Sequence, residues 1–233
     1  MARTSVRNIR SGASSSAKAR VKGFCFRTQF KTCASMSTIL VGQDKTPYKV
    51  HRDLICNQSP FFAAALRGSF AESSTQQLEL PDIDTKCFDH VILWLYQNRL
   101  EPLSYFFKDG KATYFTLLDL YATADQLDIE GLRNRVLDRV AELAENTNSV
   151  PTPTDTWILY DTIRESAPLR ELVLDLFAFK KTDVLIATHP DEWHPAFLRD
   201  LVCRLKRPGP KTLSRHALER WEPANWGAVK AWV

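Results

Sequence analysis

The sequence predicts an α+β fold followed by an all-α extension, and three observations predict it. Two short β-rich runs stand at 39–41 and 48–50, helical periodicity takes over from residue 52, and a polar stretch with two prolines at 146–154 precedes a second helical group. At 233 residues, 44% apolar and 25% charged, the chain has ordinary globular composition and is long enough for one large domain or two small ones.

Residues 1–36 are read as a disordered basic tail, rich in Arg, Ser and Ala and without apolar periodicity as far as Gly23. Residues 1–43 carry Arg3, Arg7, Arg10, Lys18, Arg20, Lys22, Arg27 and Lys31 and no acid. Removing those eight charges from the total of +4 leaves −4 for residues 44–233, so the expected folded part is mildly acidic. The pI of about 8.8 therefore belongs to the tail, and a nucleic-acid role would have to rest on it alone. Three readings of the tail stay open: a solvated basic arm, a mitochondrial transit peptide, or sequence upstream of a true start at Met36.

Ile39–Val41 and Tyr48–Val50 form a plausible hairpin across Gly42-Gln43-Asp44-Lys45. Phe61, Phe62, Ala65 and Leu66 share one helix face. Leu78 to Asp82 reads as a turn. Phe88, Val91, Ile92, Leu95 and Tyr96 fall at i, i+3, i+4, i+7 and i+8, on a helix that Asp84 caps. A loop over 101–111 holds Leu103, Tyr105, Phe106 and Phe107, which are expected to pack back on the core.

Leu117, Leu120, Tyr121, Ala124 and Leu127 make another stripe, and Leu132, Val136, Val140 and Leu143 a third, giving a helical hairpin. Residues 146–154 are read as a linker to an extension at 155–233, with helices near 155–166, 168–180 and 195–206. Trp157 and Trp193 are expected in its core. Trp221, Trp226 and Trp232 suit a stretch that docks on the domain or on a partner.

The chemistry of a catalytic site is hard to find. The chain has eight glycines and no phosphate-cradling loop, nucleophile elbow or paired-acid constellation, so neither an enzyme nor a cofactor is expected. Cys25, Cys33, Cys56, Cys87 and Cys203 are odd in number, widely spaced and without a C-x-x-C pair, which fits reduced thiols, with Cys56 and Cys87 buried. His189, Asp191, Glu192 and His194 are metal-ligand types, but Pro190 and Pro195 break their geometry, and a loop whose acids cap the next helix is the preferred reading. His51 is expected as a hydrogen-bonded structural residue. No apolar run approaches the roughly 18–20 residues of a membrane span.

Tyr48-x-Val50-His51-Arg52, Ser59-Pro60-Phe61-Phe62, Gly68-x-Phe70-x-Glu72, Leu80-Pro81, Phe88 with Trp94-Leu95-Tyr96, and the Leu118 to Leu127 helix follow one another in a known order. In that order residues 37–145 resemble the BTB/POZ domain, and 155–205 are similar to the helical extension of many BTB proteins of filamentous fungi. Two departures affect local surface: Gln97-Asn98-Arg99 stands where the family commonly has a glycine, and the 101–111 loop is long and aromatic.

The resemblance implies a small β-sheet flanked by a helical cluster, an intracellular protein-interaction module, cytoplasmic or nuclear, and a homodimer formed through the N-terminal strand and first helices. Phe70-Ala71-Glu72 resembles the hydrophobic-x-Glu motif of BTB proteins that recruit a cullin scaffold, which implies partner-binding roles for Phe70 and Glu72 in a ubiquitin-ligase adaptor. No MATH, Kelch or zinc-finger segment is present, so a client, whose identity the sequence does not give, would meet the C-terminal helices, the 101–111 loop or the basic tail. The rival expectations are a non-ligase scaffold or transcription-related oligomer, and a mitochondrial enzyme with an unrecognised site.

Overall fold

The computed structural model describes residues 35–180 and 182–206, and the account below concerns those residues. Strands β1 (Met36–Val41) and β2 (Thr46–His51) form the expected antiparallel hairpin, with Met36 opposite His51 and Val41 opposite Thr46. Its turn places Gly42 at φ +74°, where the absence of a Cβ matters.

Leu78 to Asp82 proves to be more than a turn. Gln77–Leu80 is a third strand, β3, parallel to β1, with Ile39 opposite Leu78 and Val41 opposite Leu80, and the turn begins only at Pro81. Leu78 and Leu80 point into the core while Gln77 and Glu79 face out, a period-2 pattern over four residues. The sheet order is β2-β1-β3.

Helices α1 (Arg52–Gln58) and α2 (Pro60–Arg67) follow β2 directly. Ser59 sits between them, fully buried: its Oγ accepts from the Phe62 N–H at 3.1 Å and donates to the Leu127 carbonyl at 2.6 Å. That hydroxyl caps α2 and ties it to a residue 68 positions away. Phe62 and Leu66 are buried on the face read from the sequence, with Phe61 and Ala65 half-buried beside them.

A five-residue helix, α3 (Ala71–Thr75), leads to β3, and α4 (Thr85–Gln97) follows. The Asp84 carboxylate accepts from the Lys86 and Cys87 N–H groups at 2.8 and 3.3 Å, as the sequence suggests. His51 holds a structural position: its Nδ1 lies 2.9 Å from the Tyr96 hydroxyl, and its backbone N–H donates to the same oxygen at 3.1 Å. Cys56 and Cys87 are buried thiols and Cys203 an exposed one; Cys25 and Cys33 lie outside the described residues.

The aromatic loop becomes a 3-10 turn (Leu103–Phe106) and a hairpin of two-residue strands, β4 (Phe107–Lys108) and β5 (Lys111–Ala112). Phe106 is fully buried, whereas Tyr105 and Phe107 are each about two-fifths exposed, so only part of this loop packs back. Helices α5 (Tyr114–Gln126) and α6 (Glu130–Thr147) form the helical hairpin, and Leu117, Leu120, Tyr121, Ala124, Leu127, Leu132, Val136, Val140 and Leu143 are all buried.

Residues 148–152 connect α6 to α7 (Pro153–Asp161), and the Tyr114 hydroxyl meets the Ser149 carbonyl and hydroxyl there at 3.2 and 3.0 Å. Helices α8 (Pro168–Phe179), α9 (Asp183–Thr188) and α10 (Pro195–Lys206) complete the described chain. One continuous apolar cluster runs from Ile39 and Val41 through α5 and α6 to Leu159, Val173, Phe177 and Phe197.

Two further details depart from expectation. The helix expected over 155–166 stops at Asp161, because the Arg170 guanidinium covers the Tyr160 ring at 4.4 Å and donates to the Tyr160 carbonyl at 3.0 Å and to the Ile163 carbonyl. Helix α9 has no counterpart in the sequence reading. It is six residues long and buries none of them, so it leaves no apolar stripe to read.

Candidate interaction site at the Phe70 turn

Helix α2 ends at Gly68, whose N–H donates to the Ala64 carbonyl at 3.0 Å. A Cβ at Gly68 would stand 2.2 Å from that carbonyl oxygen, so the chain can leave the helix along this path only where there is no side chain. Two residues later Phe70 has φ −80° and ψ 160° and begins α3. Its carbonyl accepts from both the Ser73 N–H at 3.1 Å and the Ser73 hydroxyl at 2.7 Å, so the turn is closed by main chain and side chain together.

Phe70 is 62% exposed. Scattered apolar atoms on a surface need no explanation, but a large aromatic side chain left mostly in water is an area a partner could cover, and fully burying a Phe side chain is worth about 1.5–3 kcal/mol. Glu72 lies one residue beyond Ala71, half-buried, in the first turn of α3. Its carboxylate takes no ion pair among the described residues, while its carbonyl accepts from the Gln76 N–H at 2.8 Å. An exposed ring beside an uncommitted carboxylate can bury the one in a partner and orient it through the other.

Behind the turn stands Gln76, which the sequence reading passed over. Its side chain meets Ser37 of β1, Leu66 of α2 and Ser73 of α3. A glutamine after a short polar segment gives no sign of such reach, because its partners lie up to 39 residues away.

Other places with chemistry are already occupied by structural work. The groove of about 550 Å³ between β2 and α4 is lined by Tyr48, Asp89, Tyr96 and Glu101. There the Tyr48 hydroxyl donates to Asp89 at 2.8 Å, and burial together with that carboxylate pushes the phenol up to about 12.

His189 accepts from the Asp191 N–H at 3.2 Å, and His194 accepts from the Ala196 N–H at 3.2 Å. The cap of α10 is thus the His194 imidazole and not the neighbouring acids: the Asp191 carboxylate lies 3.8 Å from His189 Nδ1, and the Glu192 carbonyl accepts from Trp157 Nε1 at 3.1 Å. Among the described residues no three His, Cys, Asp or Glu side chains converge as metal ligands, and no helix is long and apolar enough to cross a membrane.

Exposed apolar side chains recur on the extension. Trp157, expected in the core, is 39% exposed with its ring against His194, whereas Trp193, also expected there, is half-buried and packs on the core against Phe177 and Phe197. Phe179, Val184, Val202 and Leu205 are exposed too. Trp221, Trp226 and Trp232 lie outside the described residues.

The family model of the BTB/POZ domain matches residues 26–141. Human Kelch-like protein 30 is 36% identical over 63 residues, which is 27% of this chain and 11% of that protein, so the chain spans about a tenth of that curated relative's length. Among solved structures, the BTB (Tramtrack and Bric a brac) domain of human gigaxonin is similar at 16% identity over 48% of this chain and 80% of that one, with a TM-score of 0.35. BTB/POZ domains are non-catalytic protein–protein interaction modules, and the three-stranded mixed sheet flanked by helices has that architecture. This chain carries a BTB/POZ domain, followed by additional C-terminal helices.

Proposed function

We propose that the chain is a substrate adaptor of a cullin-based ubiquitin ligase, acting as a homodimer in the cytoplasm or nucleus. The observation that supports this reading is the Phe70 ring, 62% exposed on a braced turn with the Glu72 carboxylate one residue beyond Ala71. The ring supplies apolar area for a partner groove and the carboxylate supplies an acceptor that sets orientation. The client would meet the extension, where Trp157, Phe179, Val184, Val202 and Leu205 offer exposed apolar surface. The likeness of that extension to those of filamentous-fungal BTB proteins belongs to the same proposal and rests on the sequence.

The test is calorimetric titration of the purified full chain with the N-terminal region of its host's cullin, alongside a Phe70→Ala, Glu72→Lys variant checked for unchanged folding. The expected result is micromolar or tighter binding, weakened in the variant by about 2 kcal/mol or more, the scale of an interface hot spot. Absence of binding by both forms retires the ligase role and leaves a self-associating scaffold.

A further inference from the structure

Helix α3 presents Phe70 and Glu72, yet it has little means of holding itself. It is five residues long and none of its residues is buried, so neither helix propagation nor apolar packing fixes its direction. The bonds from Ser73 to the Phe70 carbonyl lie within the turn and cannot orient it against the rest of the molecule. That orientation has to come from outside the segment.

Gln76 makes the outward connection. Its backbone is left-handed, at φ +54° and ψ 32°, an uncommon state for a residue with a Cβ. In that state its N–H donates to the Glu72 carbonyl at 2.8 Å and its carbonyl accepts from the Thr38 N–H at 2.9 Å. Its side-chain Oε1 accepts from the Ser37 hydroxyl at 2.8 Å and faces the Arg52 guanidinium at 3.5 Å. Nε2 donates to the Ser73 carbonyl at 2.6 Å and the Leu66 carbonyl at 3.3 Å.

An amide suits this place because it offers an acceptor on one side and two donors on the other. A carboxylate of the same size would set an oxygen against two carbonyl oxygens. An aliphatic side chain would leave all of these groups unanswered.

We propose that Gln76 is the positioning residue of the Phe70–Glu72 site, its amide clamping α3 to the end of α2 and to β1 so that ring and carboxylate are presented in one fixed relation. The affinity part of the test rests on the cullin-binding reading; the ordering part does not.

The experiment measures amide hydrogen-exchange protection of residues 71–75 in the full chain and in two variants. Gln76→Gly eases the left-handed backbone and deletes the amide, and Gln76→Glu keeps the size and removes the donors. Both are expected to lower protection at 71–75 by roughly tenfold or more near neutral pH, with β1 and α5 amides little changed, as for local opening. Acidification should restore protection in Gln76→Glu, where the protonated carboxyl donates again, and not in Gln76→Gly.

Cullin affinity should fall about tenfold in Gln76→Glu, with no further loss when Phe70→Ala is already present, as a double-mutant cycle requires of a residue acting through Phe70. Unchanged protection in both variants overturns the proposal, and so does a loss in Gln76→Glu that acid does not reverse. The expected protection pattern with no cullin binding by the unaltered chain keeps the positioning role and removes the cullin reading instead.

Discussion

Helices α5 and α6 meet through Leu117, Leu120, Ala124, Leu132, Val136 and Val140, all fully buried. Helices α7, α8 and α10, with the segment before α10, meet through Tyr160, Phe177, Trp193 and Phe197, whose ring centroids stand between 5.0 and 6.0 Å apart. The aliphatic seam divides its burial among many small side chains, with the Arg133–Asp125 ion pair joining the same two helices at 2.5 Å. The aromatic cluster concentrates burial in a few rings and brings polar tips with it. Tyr160 hands its hydroxyl to Asp200 at 3.1 Å and Trp157 its N–H to the Glu192 carbonyl, but the Trp193 Nε1 is buried without a partner. The aromatic cluster therefore depends on fewer residues, each more costly to lose, while Leu159, Val173 and Leu201 add aliphatic burial around it.

The largest test of that contrast replaces one residue in each seam. Phe197→Ala should cost about 3–5 kcal/mol and Leu120→Ala about 2–5 kcal/mol in urea unfolding, with the Phe197 loss the greater. Because one apolar cluster spans both regions, each variant should show a single transition by every probe. A Leu120 loss exceeding that of Phe197, or an extension that melts alone, breaks the comparison.

A smaller effect belongs to α4, outside both seams. Asp84→Ala removes the acceptor that two N–H groups of α4 share, and should cost about 1 kcal/mol without touching either seam. A change in the denaturant slope as well as the midpoint would show that the cap organises more than its own helix.

The smallest is a tilt with pH. His90 is buried on α4 with its ring 5.3 Å from that of Tyr105, and burial lowers its pKa below the usual 6.5, against the opposing pull of Glu101 and Asp89. A lowered folded-state pKa means stability that is fully present above about pH 6.5 and is lost as pH falls through the folded value. Thermal midpoints measured at neutral pH and near pH 5.5 should therefore drop more for the unaltered chain than for His90→Gln; equal drops would assign the acid sensitivity elsewhere.

What could be read from the sequence follows from how local its causes are. The α4 stripe and its Asp84 cap lie within a dozen residues of one another, and both appear where the pattern puts them. Strand β3 was hidden because four residues before a Pro-Asp pair look like a turn until β1 supplies their partner. The early end of α7 depends on Arg170, and the cap of α10 on a histidine where acids were the obvious choice. At the candidate site Phe70 and Glu72 were visible through family likeness. Gly68 and Gln76, which shape and brace the turn, act through carbonyls and hydroxyls that no periodicity reports.

Strand β2 lies at one edge of the sheet, where exposed main-chain groups would ordinarily invite another chain to pair. Pro47 has no N–H to give, and the N–H of His51 is already spent on the Tyr96 hydroxyl. The consequence is that a chain approaching the β2 edge finds two of its main-chain donors gone, which weakens pairing there and leaves contact along this edge to side chains, which can discriminate.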